Sequence, residues 1–136
     1  MRSAEVAELL RCPTSTVPRQ ARRAGLDHVI GNADAWSPGD VLAVMVLRAL
    51  DGKATYAEGA RKCGEALDAG YPPAYLVTRG GSENVVVIDD GDELQVQSTV
   101  AGILLQASDA GAPVQVVKLR PMVQKLEPWI RELARA

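Results

Sequence analysis

Two consecutive prolines divide the chain near its middle. Pro72 and Pro73 follow Gly70 and Tyr71, and a helix cannot continue through them because proline has no amide hydrogen and clashes with the preceding turn. Before this boundary the apolar residues recur at helical spacing, and after it β-rich runs begin. We therefore expect an α+β chain with two units, one over residues 1–70 and one over residues 71–136.

The composition is that of an ordinary folded domain. A chain of 136 residues with 47% hydrophobic composition can bury a sufficient core without disulfides. Cys12 and Cys63 lack the spacing of a metal or redox motif, so we expect free thiols in a reducing cytoplasm and no zinc. No apolar run approaches the roughly 20 residues that span a bilayer, and no signal core follows Arg2, so we expect a cytoplasmic protein without membrane attachment.

Two short helices separated by a proline-containing turn are predicted at the N-terminus. The first covers Ser3 to Arg11, with Ser3 as its cap, and Pro13 ends it. The second reaches about Ala24 and is ended by Gly25. Its N-cap candidates are Thr14, Ser15 and Thr16. Two helices joined in this way have the helix-turn-helix layout.

A small β-wing is predicted after the second helix. His28 to Ile30 has the pattern of a strand, Gly31 and Asn32 that of a tight turn, and a short return strand would reach Trp36. These elements together predict a winged helix-turn-helix in the first unit.

Two further helices complete the first unit. Ser37, Pro38 and Asp40 predict a helix start, with Asp40 as a weak substitute for the usual capping-box glutamate. The following stretch, residues 41–50, is apolar on almost every side, so it is either buried or shared with a partner chain. A fourth helix is expected over residues 55–69.

The second unit is predicted to be a small ββαβα arrangement. Its expected elements are strands at 74–78 and 85–89, a helix at 93–109, a strand at 113–119 and a helix at 122–136. A unit of this size is small for independent folding, so we expect it to lean on the first half or on a second subunit.

The second helix carries the candidate functional face. Thr16, Arg19, Gln20 and Arg23 fall within an arc of about 100° on a 3.6-residue helix, with Val17, Ala21 and Ala24 on another side. Arginine pairs with guanine, glutamine with adenine, and hydroxyl residues with phosphates or bases, so this face suits a major groove. Arg22, at the flank, is better placed for phosphate. The alternative is a solvated helix with ordinary surface arginines.

The charge distribution agrees with this face. The whole chain has a net charge of −2, yet residues 1–30 carry five arginines against three acids, a local charge of +2. Residues 71–136 carry six basic and eight acidic side chains, a local charge of −2. The positive charge is therefore concentrated where phosphate would be met, and binding should weaken at high salt.

Three segments resemble the MerR-type and excisionase-type DNA-binding domains. They are EVAELL at residues 5–10, STVPRQARRAGL at 15–26 and WSPGDV at 36–41, in order and at the family's spacing, and the resemblance extends over about half the chain. The resemblance implies that Thr16, Arg19 and Arg23 contact DNA. It assigns to the core Val6, Ala7, Leu10, Val17 and Leu26.

This chain departs from the family pattern at several positions. Gln20 replaces a common aromatic residue, and Pro18 implies a later helix start. The wing tip offers Asn32 and Asp34 where basic residues are usual, and His28 is either a partial substitute for the missing anchor or a surface strand residue. The proline pair also excludes a dimerising coiled coil directly after the first unit.

The expectation from sequence is a sequence-specific, nucleoid-associated DNA-binding protein, a repressor-like transcriptional regulator that binds double-stranded DNA as a homodimer. The candidate contacts are Thr14, Ser15, Thr16, Arg19, Gln20, Arg22, Arg23 and His28. The dimer surface is expected on the apolar helix at 41–50 or on the second unit. An excisionase-like recombination factor and a protein-interaction adaptor that no longer binds DNA remain alternatives.

No catalytic activity or cofactor is expected. Asp89, Asp90, Asp92 and Glu93 form an acidic cluster, but no histidine, cysteine or lysine is spaced to complete a site. These acids are explained by a favourable interaction with a helix N-terminus. Trp129, near Ile130 and Leu133, is either an anchor for a partner or part of the packing of the last helix.

Overall fold

A computed structural model describes residues 2–32, 35–79, 83–88, 93–111 and 114–135. The helices of this described part are α1 (Ser3–Leu10), α2 (Val17–Ala24), α3 (Pro38–Ala49), α4 (Ala57–Asp68), α5 (Glu93–Ala110) and α6 (Arg120–Arg135). Its strands are β1 (Pro73–Arg79), β2 (Glu83–Ile88) and β3 (Val114–Lys118). The mixed α+β class and the ββαβα order of the second unit are confirmed.

The predicted wing strand is wrong. Asp27–Val29 forms a single turn of 3-10 helix, and Ile30 and Gly31 form a turn with Gly31 in the left-handed region at φ 79°. Ala35 and Trp36 are not in a strand either. Val29 and Trp36 are buried, which explains the result: the apolar residues of this segment anchor a loop to the core instead of alternating along a ribbon. Ala33 and Asp34, at the predicted wing tip, lie outside the described residues.

Helix α3 is the centre of the first unit. It begins as predicted, because Asp40 N donates to Ser37 Oγ (3.1 Å) and Ser37 N donates to Asp40 Oδ2 (3.0 Å), which together form a capping box. Its residues Val41, Leu42, Val44 and Val46 are at most 1% exposed. The helix is therefore buried within the single chain, and it offers little surface to a second copy.

Helix α4 packs unusually close to α3 because its inner face is built from small residues. That face consists of Ala57, Gly59, Ala60, Cys63, Gly64 and Leu67. A Cβ placed on Gly64 would overlap the carbonyl oxygen of Gly39, and one placed on Gly39 would overlap the carbonyl oxygen of Gly64. Backbone thus meets backbone where the two helices cross.

The second unit has an antiparallel sheet of order β2-β1-β3 between two helical layers. Leu76 in β1 pairs with Val117 in β3, and both belong to the same buried cluster as α1 to α4. The neighbouring residue Val77 faces the opposite side, in a second cluster with Val96 and Val100 of α5. This alternation is that of a strand covered on both faces.

The two halves share one core. Leu119, Val123 and Leu126, from the end of β3 into α6, lie in the same cluster as Leu42 and Leu47 of α3. The expectation that the second unit packs against the first half is therefore confirmed. The proline pair marks a change of secondary structure, but it does not separate two hydrophobic cores.

The close crossing of α3 and α4 predicts a large effect of a single methyl group. Gly64→Ala should lower the free energy of unfolding by about 2–3 kcal/mol, because overpacking against rigid backbone forces the helices apart. Urea unfolding followed by the fluorescence of buried Trp36 measures the change. Gly102→Ala is the matched control: nothing lies within 4 Å of the place that its new methyl group would take, and replacing a mid-helix glycine should raise stability by about 0.5–1 kcal/mol. Equal stability of the two variants would contradict the close crossing.

Candidate nucleic-acid interface

Helix α2 begins after a short 3-10 turn formed by Thr14–Thr16. Pro18 occupies one of its first positions, where a missing amide hydrogen costs no hydrogen bond, and Gly25 ends it in the left-handed region at φ 72°. Helix α2 thus begins at Val17, with Thr16 in the N-cap position. Thr16 does not cap the helix with its side chain; its Oγ1 donates to the Pro13 carbonyl at 2.8 Å.

The two faces of α2 differ as the helical spacing predicts. Val17 and Ala21 are 1% exposed and Ala24 is fully buried, and this side packs against α1, α3 and α4. On the other side Arg19, Arg22 and Arg23 are exposed, whereas Thr16 and Gln20 are half-buried. Thr14 and Ser15 are exposed in the preceding turn. The structure thus brings seven of the eight candidate contacts onto one helix and the turn that leads into it.

The three arginines of α2 have no acidic partner among the described residues. Arg22 and Arg23 lie in the last turn of the helix, where a positive charge interacts favourably with the helix dipole. Arg22 also lines a groove of about 350 Å³ together with Pro18, Ile30 and Asn32. Arg23 Nη1 lies near the turn that joins α3 to α4, 3.6 Å from where a Cβ on Gly52 would lie.

His28 is separate from this face. Its Nε2 lies 2.9 Å from Oδ2 of Asp40, whose side chain is 10% exposed and also forms the capping box of α3. The imidazole ring is 58% exposed. His28 thus links the loop after α2 to the start of α3, and its predicted phosphate contact stays a prediction with one ring nitrogen already engaged.

Two arginines that the sequence analysis missed hold the ends of α1 and α2. Arg61 of α4 donates from Nη1 to the Ala24 carbonyl at 3.0 Å, at the C-terminus of α2. Arg48 of α3 donates to the Leu10 carbonyl at the C-terminus of α1. Both place positive charge where the helix dipole is negative. Their partners are distant in sequence, so local spacing carries no signal for them.

Asp68, also missed, holds the N-terminus of α3. Its Oδ1 accepts from Gly39 N at 2.8 Å and its Oδ2 accepts from Ser37 Oγ at 2.6 Å. Asp68 is the last residue of α4, where its charge opposes the dipole of its own helix. Because that position is unfavourable within α4, it could have indicated from the sequence that the Asp68 carboxylate caps another helix.

The described residues contain no cluster of possible metal ligands. No group of three or more histidine, cysteine or acidic side chains among them is placed to hold a metal ion. Both cysteines are free thiols, as predicted, and burial raises the pKa of Cys63 to about 12, so this thiol stays protonated at neutral pH. Asp89, Asp90 and Asp92 lie outside the described residues.

Within the described ranges no helix combines the length and the apolar character needed to cross a bilayer.

Comparison of this chain with protein-family models, with curated proteins and with solved structures finds no match. The resemblance to MerR-type and excisionase-type domains therefore remains a prediction from the quoted segments.

The hydrogen bond from Arg61 predicts that α4 stabilises α2 directly. Arg61→Met keeps the aliphatic stem and removes the donor, so the free energy of unfolding should fall by about 1.5–3 kcal/mol, since hydrogen bonds that involve charged groups contribute about that much. Lys62→Met is the control, because Lys62 is exposed and meets only Glu58, at 3.7 Å. It should change stability by less than about 0.5 kcal/mol. Urea unfolding of both variants checks this, and equal values would refute the role of Arg61.

Proposed function

We propose that this chain is a sequence-specific DNA-binding protein, a repressor-like transcriptional regulator that binds double-stranded DNA as a dimer. The observation that carries the proposal is the exposed face of α2, where Arg19, Arg22 and Arg23 project without acidic partners among the described residues. The opposite face of the same helix is locked into the core. A rigid helix with one basic face is the form in which helix-turn-helix proteins present side chains to the major groove.

Four side chains on or beside this face have distinct roles in the proposal. Arg19 near the start of α2 pairs with a guanine, and the amide of Gln20 with an adjacent adenine. Thr16 still has lone pairs free to accept hydrogen bonds, although its hydroxyl proton is engaged by Pro13. Arg22 at the flank contacts phosphate and positions the helix without reading sequence.

The charge of the chain sets the conditions for binding. A local charge of +2 over residues 1–30 neutralises few phosphates, so one copy binds weakly, and its salt slope is shallow because that slope scales with the number of phosphates neutralised. Two copies on repeated half-sites multiply the base contacts without any new side chain. This is the physical reason for proposing a dimer.

An excisionase-like recombination factor would use the same face, so it is a variant of this proposal. The interaction adaptor is the competing function. It is favoured by the 3-10 turn at Asp27–Val29, which replaces the predicted wing strand, and by the contact of His28 with Asp40. In a winged domain the wing strand and His28 would contact the flanking phosphates. Here a turn replaces the strand, and Asp40 already engages one ring nitrogen of His28.

Selection from random duplex DNA, followed by sequencing, tests the proposal. The wild type should enrich a repeated motif whose spacing gives the half-site distance. Arg19→Ala should weaken binding to that motif about 10- to 100-fold and relax the preference at one position, since a lost bidentate pair costs about 1–3 kcal/mol. Arg22→Ala should weaken binding on all sequences and reduce the salt slope by about 1.

Arg135→Ala serves as the control, because it removes the same charge from an exposed position at the end of α6. It should leave both the motif and the salt slope unchanged. If the folded wild type enriches no motif, or if Arg135→Ala weakens binding as much as Arg19→Ala, the proposal fails and the adaptor function replaces it.

A further inference from the structure

The outer surface of helix α5 carries no charge between Glu93, at its start, and the exposed Asp109, near its end. No ionisable residue occurs between Glu93 and Asp109, although the helix lies on the outside of the sheet. Its inner side supplies Val96 and Val100 to the second buried cluster. On the opposite side Leu94 is 77% exposed and Leu105 is 68% exposed. A solvent-facing helix ordinarily carries charged residues there, so this surface requires another explanation.

The exposed residues form a continuous seam. Its members are Leu94, Ser98, Ala101, Leu105 and Ser108, all of them exposed. They follow one another in alternate steps of four and three residues, and they fall within an arc of about 80°. This is the spacing by which two helices pack along their length.

The seam is complementary to itself in the antiparallel direction. If two copies of α5 cross at Ala101, Leu94 of each copy lies opposite Ser108 of the other, and Leu105 lies opposite the Ser98 region. A large side chain then meets a small one at the outer levels, and the small Ala101 of each copy meets its counterpart where the two helices cross. Two-fold symmetry produces this matching automatically, because the same patch serves on both subunits.

Burial of this seam leaves the hydroxyl group of Ser98 with a hydrogen-bond acceptor. Ser98 Oγ donates to the Leu94 carbonyl at 3.0 Å, so a leucine from a second copy covers it without breaking a hydrogen bond. A neutral surface also has no charge complement on a charged partner. A second copy of the same neutral face is the occupant that meets both conditions.

We infer that α5 is the surface through which two copies of this chain associate, as an antiparallel helix pair centred on Ala101. The inference deepens the proposed function, since dimeric DNA binding rests on that proposal, but the helix pair itself requires no DNA. An 18-residue helix is about 27 Å long, and a strip about 10 Å wide along it covers about 300 Å². A stable interface takes about 800 Å² from each partner, so the pair is weak in free solution and strengthened when both copies occupy one DNA.

Sedimentation of the protein without DNA tests the interface. Because the pair is weak in free solution, the wild type should gain mass as its concentration rises toward the millimolar range, and Leu105→Glu should remain a monomer because it places a charge in the seam of each copy. Thr99→Glu is the matched control. Thr99 is exposed on the flank of the same helix, outside the seam, so this variant should associate like the wild type. Equal melting temperatures show that all three are folded.

Disulfide trapping tests the direction. In a Cys12→Ser background, Leu94→Cys and Ser108→Cys proteins are mixed and oxidised. In an equal mixture the antiparallel pair should give well over half of the disulfide dimers as the mixed 94–108 product, since random pairing alone gives half. Homodimers in excess, or association of Leu105→Glu equal to that of the wild type, would overturn the inference. Because DNA is absent, these outcomes leave the proposed role of α2 untouched.

Discussion

The crossing of α3 and α4 at Gly39 and Gly64 is the contact on which the rest of the structure depends. It lets two backbones meet without side chains between them, and this proximity brings Asp68 onto the N-terminus of α3. The polar groups at that helix start are then satisfied from two directions, by Asp40 within the helix and by Asp68 across it. A buried helix as apolar as α3 tolerates few unpaired amides, so the cap and the crossing support each other.

The same arrangement orients the candidate DNA-binding helices. Helix α3 carries Arg48 to the end of α1, and α4 carries Arg61 to the end of α2. The guanidinium group of Arg61 occupies the space that a Cβ on Gly25 would need, so glycine at that position serves both the left-handed turn and this contact. The pair α1–α2 is therefore held by side chains from the two following helices. The contacts with α3 and α4 therefore hold the exposed face of α2 in a fixed position.

The sequence predicted the order of the elements well, because several of them begin or end near a proline, a glycine or a capping pair of side chains. Pro13, Gly25, the Ser37–Asp40 cap and the Pro72–Pro73 boundary lie where the chain changes structure. The inner and outer faces of α2 also followed from spacing. The wing failed because His28, Val29 and Ile30 have strand propensity, whereas burial of Val29 and Trp36 decides the conformation. The caps from Arg48, Arg61 and Asp68 act across long sequence separations, beyond the reach of local patterns.

The two proposed surfaces respond to salt in different ways, and this follows from where the chain places its charge. In the proposed function the face of α2 binds DNA through arginines, so its affinity should fall as counterions compete for phosphate. The seam of α5 contains no ionisable group between Glu93 and Asp109, so association through it is driven by apolar burial, which moderate salt does not screen. Helix α2 packs into the buried cluster that both halves share, and α5 packs into the second cluster, on the other face of β1. A change of ionic strength would thus act on DNA contact while leaving the pairing of subunits intact.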